Sequence, residues 1–181
     1  MTRTSIGYRL CAALSTATLV LALSATPAFA AGARKTKAVV ANPDGGYTGV
    51  SRSSARGNNG GGATRRKAVT TDGQGNATAA SGGAIVGPDG GAAARGAKTT
   101  VSDGNVNRES GAAATGAKGS ADTQGSFNRN ADGTYDGSRS TNATGADGKT
   151  YSGQTTYDQN GITRTATCKD ASGNVIACPK Q

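Results

Sequence analysis

Between Ala112 and Gly148 the chain reads AAATGAKGSADTQGSFNRNADGTYDGSRSTNATGADG, and its two ends match. Ala112-Ala113-Ala114-Thr115-Gly116-Ala117-Lys118-Gly119 returns 29 residues later as Thr141-Asn142-Ala143-Thr144-Gly145-Ala146-Asp147-Gly148. Outward from this stretch, Gly61, Gly90, Gly119 and Gly148 hold the same spacing of 29. A second series, Gly45, Gly73, Gly104, Gly133 and Gly161, runs between them with gaps of 28, 31, 29 and 28. A fixed period of this length marks a repeat architecture. Each repeat holds two turns and two segments of eight to ten residues.

The turn chemistry decides what those segments are. Asp-Gly or Asn-Gly begins at Asp44, Asn59, Asp72, Asp89, Asp103, Asp132, Asp136, Asp147 and Asn160. Such dipeptides accept the positive φ that tight hairpins require. The intervening stretches are rich in Thr, Ser and Ala and carry no apolar stripe of helical period. Short turns joining extended segments predict an all-β chain, an antiparallel meander of roughly 29-residue repeats with two strands each. The alternatives are a β-solenoid with one repeat per coil and a largely disordered chain with order confined to residues 145–181. A packed core is not expected: Trp is absent, Phe numbers two and Tyr five, and the apolar content is largely alanine. Alanine buries little area against the entropy of ordering a glycine-rich chain. Order is expected to rise toward the C-terminus.

That end is the most explicit. Tyr151 and Tyr157 lie six apart and so share a face of one strand. Asp158-Gln159-Asn160-Gly161 reads as a turn, and Ile162, Arg164, Ala166 and Cys168 share a face of the next strand. Asp170 to Asn174 reads as a further turn. Cys168 and Cys178 lie equidistant from Gly173 and are predicted to face each other as a structural disulfide. A zinc site is not provided for, since the chain has no histidine.

Residues 1–30 read as a secretory signal peptide. Arg3 and Arg9 precede the short apolar run Leu10–Leu23, and Pro27-Ala28-Phe29-Ala30 supplies a cleavage site before Ala31. The apolar run is too short to span a bilayer. An exported location follows: periplasm, cell surface or extracellular space. Residues 31–67 then carry Arg34, Lys35, Lys37, Arg52, Arg56, Arg65, Arg66 and Lys67 against one acid, Asp44. Residues 68–181 hold ten charges of each sign. This division predicts a flexible basic arm over 31–67, a candidate polyanion-binding element, followed by a hairpin array over 68–181. Lipopolysaccharide, acidic polysaccharide, extracellular DNA and an anionic membrane surface are the partners such an arm suits. A dedicated nucleic-acid role is disfavoured, because the basic residues have no interleaved aromatic before Tyr47.

No catalytic constellation, cofactor signature or small-molecule site is legible. Histidine is absent, and Glu109 is the one glutamate. Asn128-Arg129-Asn130-Ala131-Asp132-Gly133 has the spacing of a calcium loop, but Arg139 stands where the bidentate carboxylate is needed. It reads as a hairpin turn, with no metal. The expected role is a non-catalytic exported repeat protein of the envelope or matrix, structural or adhesive, self-associating through sheet edges. The alternative is a soluble basic protein that binds polyanions through its arm.

Thr156-Tyr157-Asp158-Gln159-Asn160-Gly161-Ile162-Thr163-Arg164 resembles a YD-repeat, the tyrosine–aspartate hairpin unit of large bacterial wall-associated proteins. The chain as a whole, from its signal to the ending Cys-Lys-Asp-Ala-Ser-Gly-Asn-Val-Ile-Ala-Cys-Pro, is similar to small exported glycine-rich repeat proteins of Gram-negative bacteria. The resemblance implies an envelope or secreted location and carries over no functional residue.

Overall fold

A computed structural model describes residues 32–179, and the expected signal segment with its Cys11 lies outside them. The described residues form one antiparallel sheet of 11 strands in sequence order. Its strands are β1 (Gly32–Ala41), β2 (Tyr47–Arg56), β3 (Gly62–Thr71), β4 (Ala77–Val86), β5 (Ala92–Ser102), β6 (Asn105–Gly116), β7 (Gly119–Arg129), β8 (Tyr135–Gly145), β9 (Thr150–Asp158), β10 (Gly161–Lys169) and the short β11 (Val175–Ile176). The predicted meander is the observed fold, not the solenoid. Among the described residues backbone pairing joins only consecutive strands, and β1 pairs with neither β10 nor β11, so the sheet is open.

The hairpin turns follow two recipes. In the longer one the first residue's N–H bonds the carbonyl four residues on, as at Asn42–Gly46, Gly57–Gly61, Gly87–Gly91, Asn130–Thr134 and Asp170–Asn174. A glycine at positive φ occupies the fourth position of each. In the shorter recipe two residues suffice: Asp103 and Gly104, at φ 51° and 77°, connect β5 to β6. Eight of the nine turn glycines read from the sequence take positive φ, and the exception is corrected by one place. Gly60, not Gly61, holds the left-handed position, because the Gly57–Gly61 loop places its αL residue fourth and its strand-entering residue fifth.

Aspartates lock these turns. Asp72 Oδ1 accepts from the Gln74 and Asn76 N–H groups, and Asp170 Oδ1 from those of Ser172 and Asn174. Turns on one edge also clasp each other. The Asp103 N–H donates to Asn76 Oδ1 at 3.0 Å, and the Ala131 N–H donates to Asn105 Oδ1 at 3.0 Å.

The sheet is a single layer. Among the described residues the one buried apolar side chain is Cys168, 5% exposed. Stability therefore rests on the backbone ladder and on cross-strand side-chain pairs, each worth about 0.2–1 kcal/mol. The densest cluster spans β7 to β9. The Phe127 ring stacks on Tyr157 at 6.2 Å and lies 6.3 Å from Tyr135. Tyr157 reaches Phe127 across Gly137, whose absent side chain leaves room for the ring.

Two expectations are corrected. The stretch expected as a flexible basic arm is, from Gly32 onward, β1, β2 and most of β3, and residue 67 falls inside β3. The reason is continuity of the turn code: Asn42-Pro43-Asp44-Gly45-Gly46 and Gly57-Asn58-Asn59-Gly60-Gly61 form the same loop as the later turns. The cysteines are bonded as predicted, with Cα atoms 5.3 Å apart, but they are not directly opposed. The Asp170–Asn174 turn centres on Ser172, so Cys168 pairs with Ile176 and bonds Cys178 two residues further along.

Candidate polyanion-binding face

Directly paired residues in an antiparallel sheet project to the same side, and alternate residues project to opposite sides. The registers therefore sort every strand residue onto one of two faces. One row runs Lys35, Ser53, Arg65, Gly83, Arg95, Ala112, Thr123, Thr141, Gly153, Ala166 from β1 to β10. The side that it belongs to is called face A, and the opposite side face B.

Face A carries nine cations: Lys35, Lys37, Arg65, Lys67, Arg95, Arg108, Arg129, Arg139 and Arg164. No strand residue on it is acidic. The strand acids Glu109, Asp122, Asp136 and Asp158 all fall on face B, and the other described acids sit in turns. All five described aromatics, Tyr47, Phe127, Tyr135, Tyr151 and Tyr157, are on face A as well. Face B is mostly small and hydroxyl- or amide-bearing. Its row Thr48, Thr70, Thr78, Thr100, Asn107, Asn128, Asp136 includes hydrogen bonds from Asn107 Nδ2 to Asn128 Oδ1 at 2.6 Å and from Asn128 Nδ2 to Asp136 at 3.0 Å.

Face A is concave between β1 and β8. The trough has a volume of about 1210 Å³ and is lined by Lys35, Arg65, Arg95, Arg108 and Arg139 among small residues such as Ser53, Ala63, Ala93 and Ala112, with Arg34 and Asp122 also in its wall. A smaller hollow of about 350 Å³ lies among Lys35, Lys37, Ser51, Arg65 and Lys67. The face-A cations are uncompensated. Among the described residues the one salt bridge joins Lys149 to Asp147 in the turn after β8. Arg108 donates to a neutral acceptor, Thr99 Oγ1, at 3.0 Å. A concave wall with six cations against one acid, Asp122, focuses its field on an incoming anion.

The acids perform a different task. Side-chain and backbone N–H donors hold the Asp72, Asp132, Asp147 and Asp170 carboxyls below the usual carboxylate range. The largest causes are the Gln74 backbone for Asp72, Thr134 for Asp132, Lys149 for Asp147 and Asn174 for Asp170. These are turn clamps. Asn128–Gly133, with its calcium-like spacing, ends β7 and enters the Asn130–Thr134 hairpin, where Asp132 Oδ1 accepts from the Thr134 N–H and hydroxyl.

The eight basic residues singled out in the sequence divide between the faces. Lys35, Lys37, Arg65 and Lys67 are on face A, and Arg34, Arg52, Arg56 and Arg66 on face B. Arg95, Arg108, Arg129, Arg139 and Arg164 escaped notice, because the charge was summed along the chain and not across it. The missing signal lay in the turn centres. Reflecting residue 35 through turns centred at 44, 59, 74 and 89 gives 53, 65, 83 and 95 in order. No protein-family model, curated protein or solved structure matches the chain.

Proposed function

We propose that the protein works without catalysis, as an exported binding surface on which face A engages an anionic polymer. The observation that carries this reading is segregation: nine cations and five aromatics on the concave side, every strand acid on the other. Charge of one sign with no internal partner gives the bound polymer nothing to displace but water and counterions. Aromatic rings beside the cations add stacking surface. The signal-like segment at residues 1–30 and the Cys168–Cys178 disulfide favour an exported setting. The test is retention on an immobilised polyanion such as heparin, with charge reversal of Lys35, Arg65 and Arg95 compared with reversal of the face-B residues Arg56, Arg66 and Lys98, which line neither hollow. Loss confined to the first triple supports face A. Equal loss from both reduces the interaction to net charge and removes the site.

Self-association is the second reading, favoured by two open edges. Among the described residues β1 has no strand paired to its outer side, and β11 pairs with only Cys168 and Lys169 of β10. Arg34, Lys35 and Lys37 on the first edge oppose strand addition. Sedimentation at rising concentration tests it: a monomer throughout eliminates edge pairing.

A further inference from the structure

The geometry points to a polysaccharide bearing an acid on every second sugar as the polymer of face A, laid across the strands along the row that begins at Lys35. This rests on the reading of face A as a polyanion surface. Along that row cations alternate with small residues: Lys35, Ser53, Arg65, Gly83, Arg95, Ala112. Neighbouring strands lie about 4.8 Å apart, so the cations recur at about 10 Å. One interstrand step is close to the length of one pyranose unit in an extended chain. Two steps then match a disaccharide, with its carboxylate over a cation and its neutral ring over Ser53 or Gly83. Nucleic acid is mismatched, since its charges recur several times more densely.

The far half of the row has the groups that sugars use. Thr123 and Thr141 present hydroxyls, joined at 3.1 Å. The Tyr151 ring lies over Gly153, where a Cβ would collide with it, and so brings an aromatic surface into the row. Hydroxyl pairs and a ring face are what a neutral pyranose hydrogen-bonds and stacks upon.

The test compares binding of the full chain to hyaluronan oligosaccharides, which carry a carboxylate on alternate sugars, with polygalacturonate of equal length and with single-stranded DNA. Undirected electrostatics favours the denser polyanions. The registered row predicts that hyaluronan binds at least as tightly as polygalacturonate. It also predicts that Arg65→Gln weakens hyaluronan binding by roughly two- to fivefold, more than Arg129→Gln, which lies on face A but off the row. Tighter binding of polygalacturonate or DNA, with the two variants equivalent, overturns the alternating-sugar assignment and leaves the polyanion surface standing. Failure of all three probes to bind at low salt overturns both. Circular dichroism of each variant reports that the sheet is retained.

Discussion

Replacing Gly137 by alanine tests the one place where side chains build a compact cluster. Gly137 on β8 pairs with Tyr157 on β9, and an added Cβ falls within the tyrosine ring. The ring must move. It then loses the hydrogen bond from its hydroxyl to the Ser126 carbonyl, 2.9 Å long, worth about 1 kcal/mol. It also loses its stack on Phe127, now at 6.2 Å and 19° between planes, worth about 0.5–1.5 kcal/mol. Against this, alanine restricts the unfolded chain and returns about 0.4–1 kcal/mol. The net loss is about 1 kcal/mol, or a fall in Tm of about 2–4 °C for a domain of this size. Urea unfolding followed by tyrosine near-UV circular dichroism measures both the loss and the displaced ring. The decisive comparison is the same change in a Tyr157→Ala background, where Gly137→Ala is expected to be neutral or stabilising. If Gly137→Ala stabilises the unaltered protein, or costs equally in both backgrounds, the ring does not occupy that position.

Reduction of Cys168–Cys178, which closes a loop of sequence separation 10, is expected to lower stability by about 2–3 kcal/mol and to fray β11 first, as read by denaturation with and without reductant and by amide exchange at Val175 and Ile176. The turn carboxylates set the acid limb of stability: because Asp72, Asp132, Asp147 and Asp170 titrate lower in the fold than the ordinary value of 3.8, their contribution is complete above that pH and is lost as pH falls through their depressed values. Asp72→Asn and Asp170→Asn should flatten that limb in thermal melts taken from neutral pH downward, and an unchanged slope would show that the clamps carry no linkage. Lys149, raised above 10.5 by its hydrogen bond to Asp147, acts in the opposite sense: its contribution is intact below 10.5 and disappears as pH rises through the raised value. Asp147→Asn should remove that alkaline drop.

The turns were legible because each residue of Asp-Gly, or of Asn-Gly-Gly, has a local conformational reason to be there. Tyr151 with Tyr157, and Ile162 with Cys168, fall on one face as a period of two requires. The basic segment was misjudged for a reason that is also physical. Arg34, Lys35 and Lys37 read as a solvated run along the chain, yet in β1 the alternation sends Arg34 to one side and Lys35 and Lys37 to the other. Linear counting cannot see such a separation, and reflection through turn centres can. The cation row also stops where the turn recipe changes. Four long loops keep a period of 30 from Lys35 through Arg65 to Arg95, and the two-residue Asp103-Gly104 turn then shortens it, so the next positions are Ala112 and Thr123. The displacement of Cys178 was legible by the same reflection: the five-residue turn Asp170–Asn174 centres on Ser172, which pairs Cys168 with Ile176, whereas equidistance from Gly173 takes the wrong centre.

Because the backbone ladder ties each strand only to the two beside it, length is a free variable in this architecture. A pair of strands with its two turns could be duplicated or deleted without disturbing a shared interior, since there is none to disturb. Removal of a 30-residue unit such as residues 57–86 would set Arg95 opposite Ser53 in place of Arg65, keeping a cation two strands from Lys35 and each residue on its original face. Unequal recombination alone could therefore lengthen or shorten the sheet, two strands at a time.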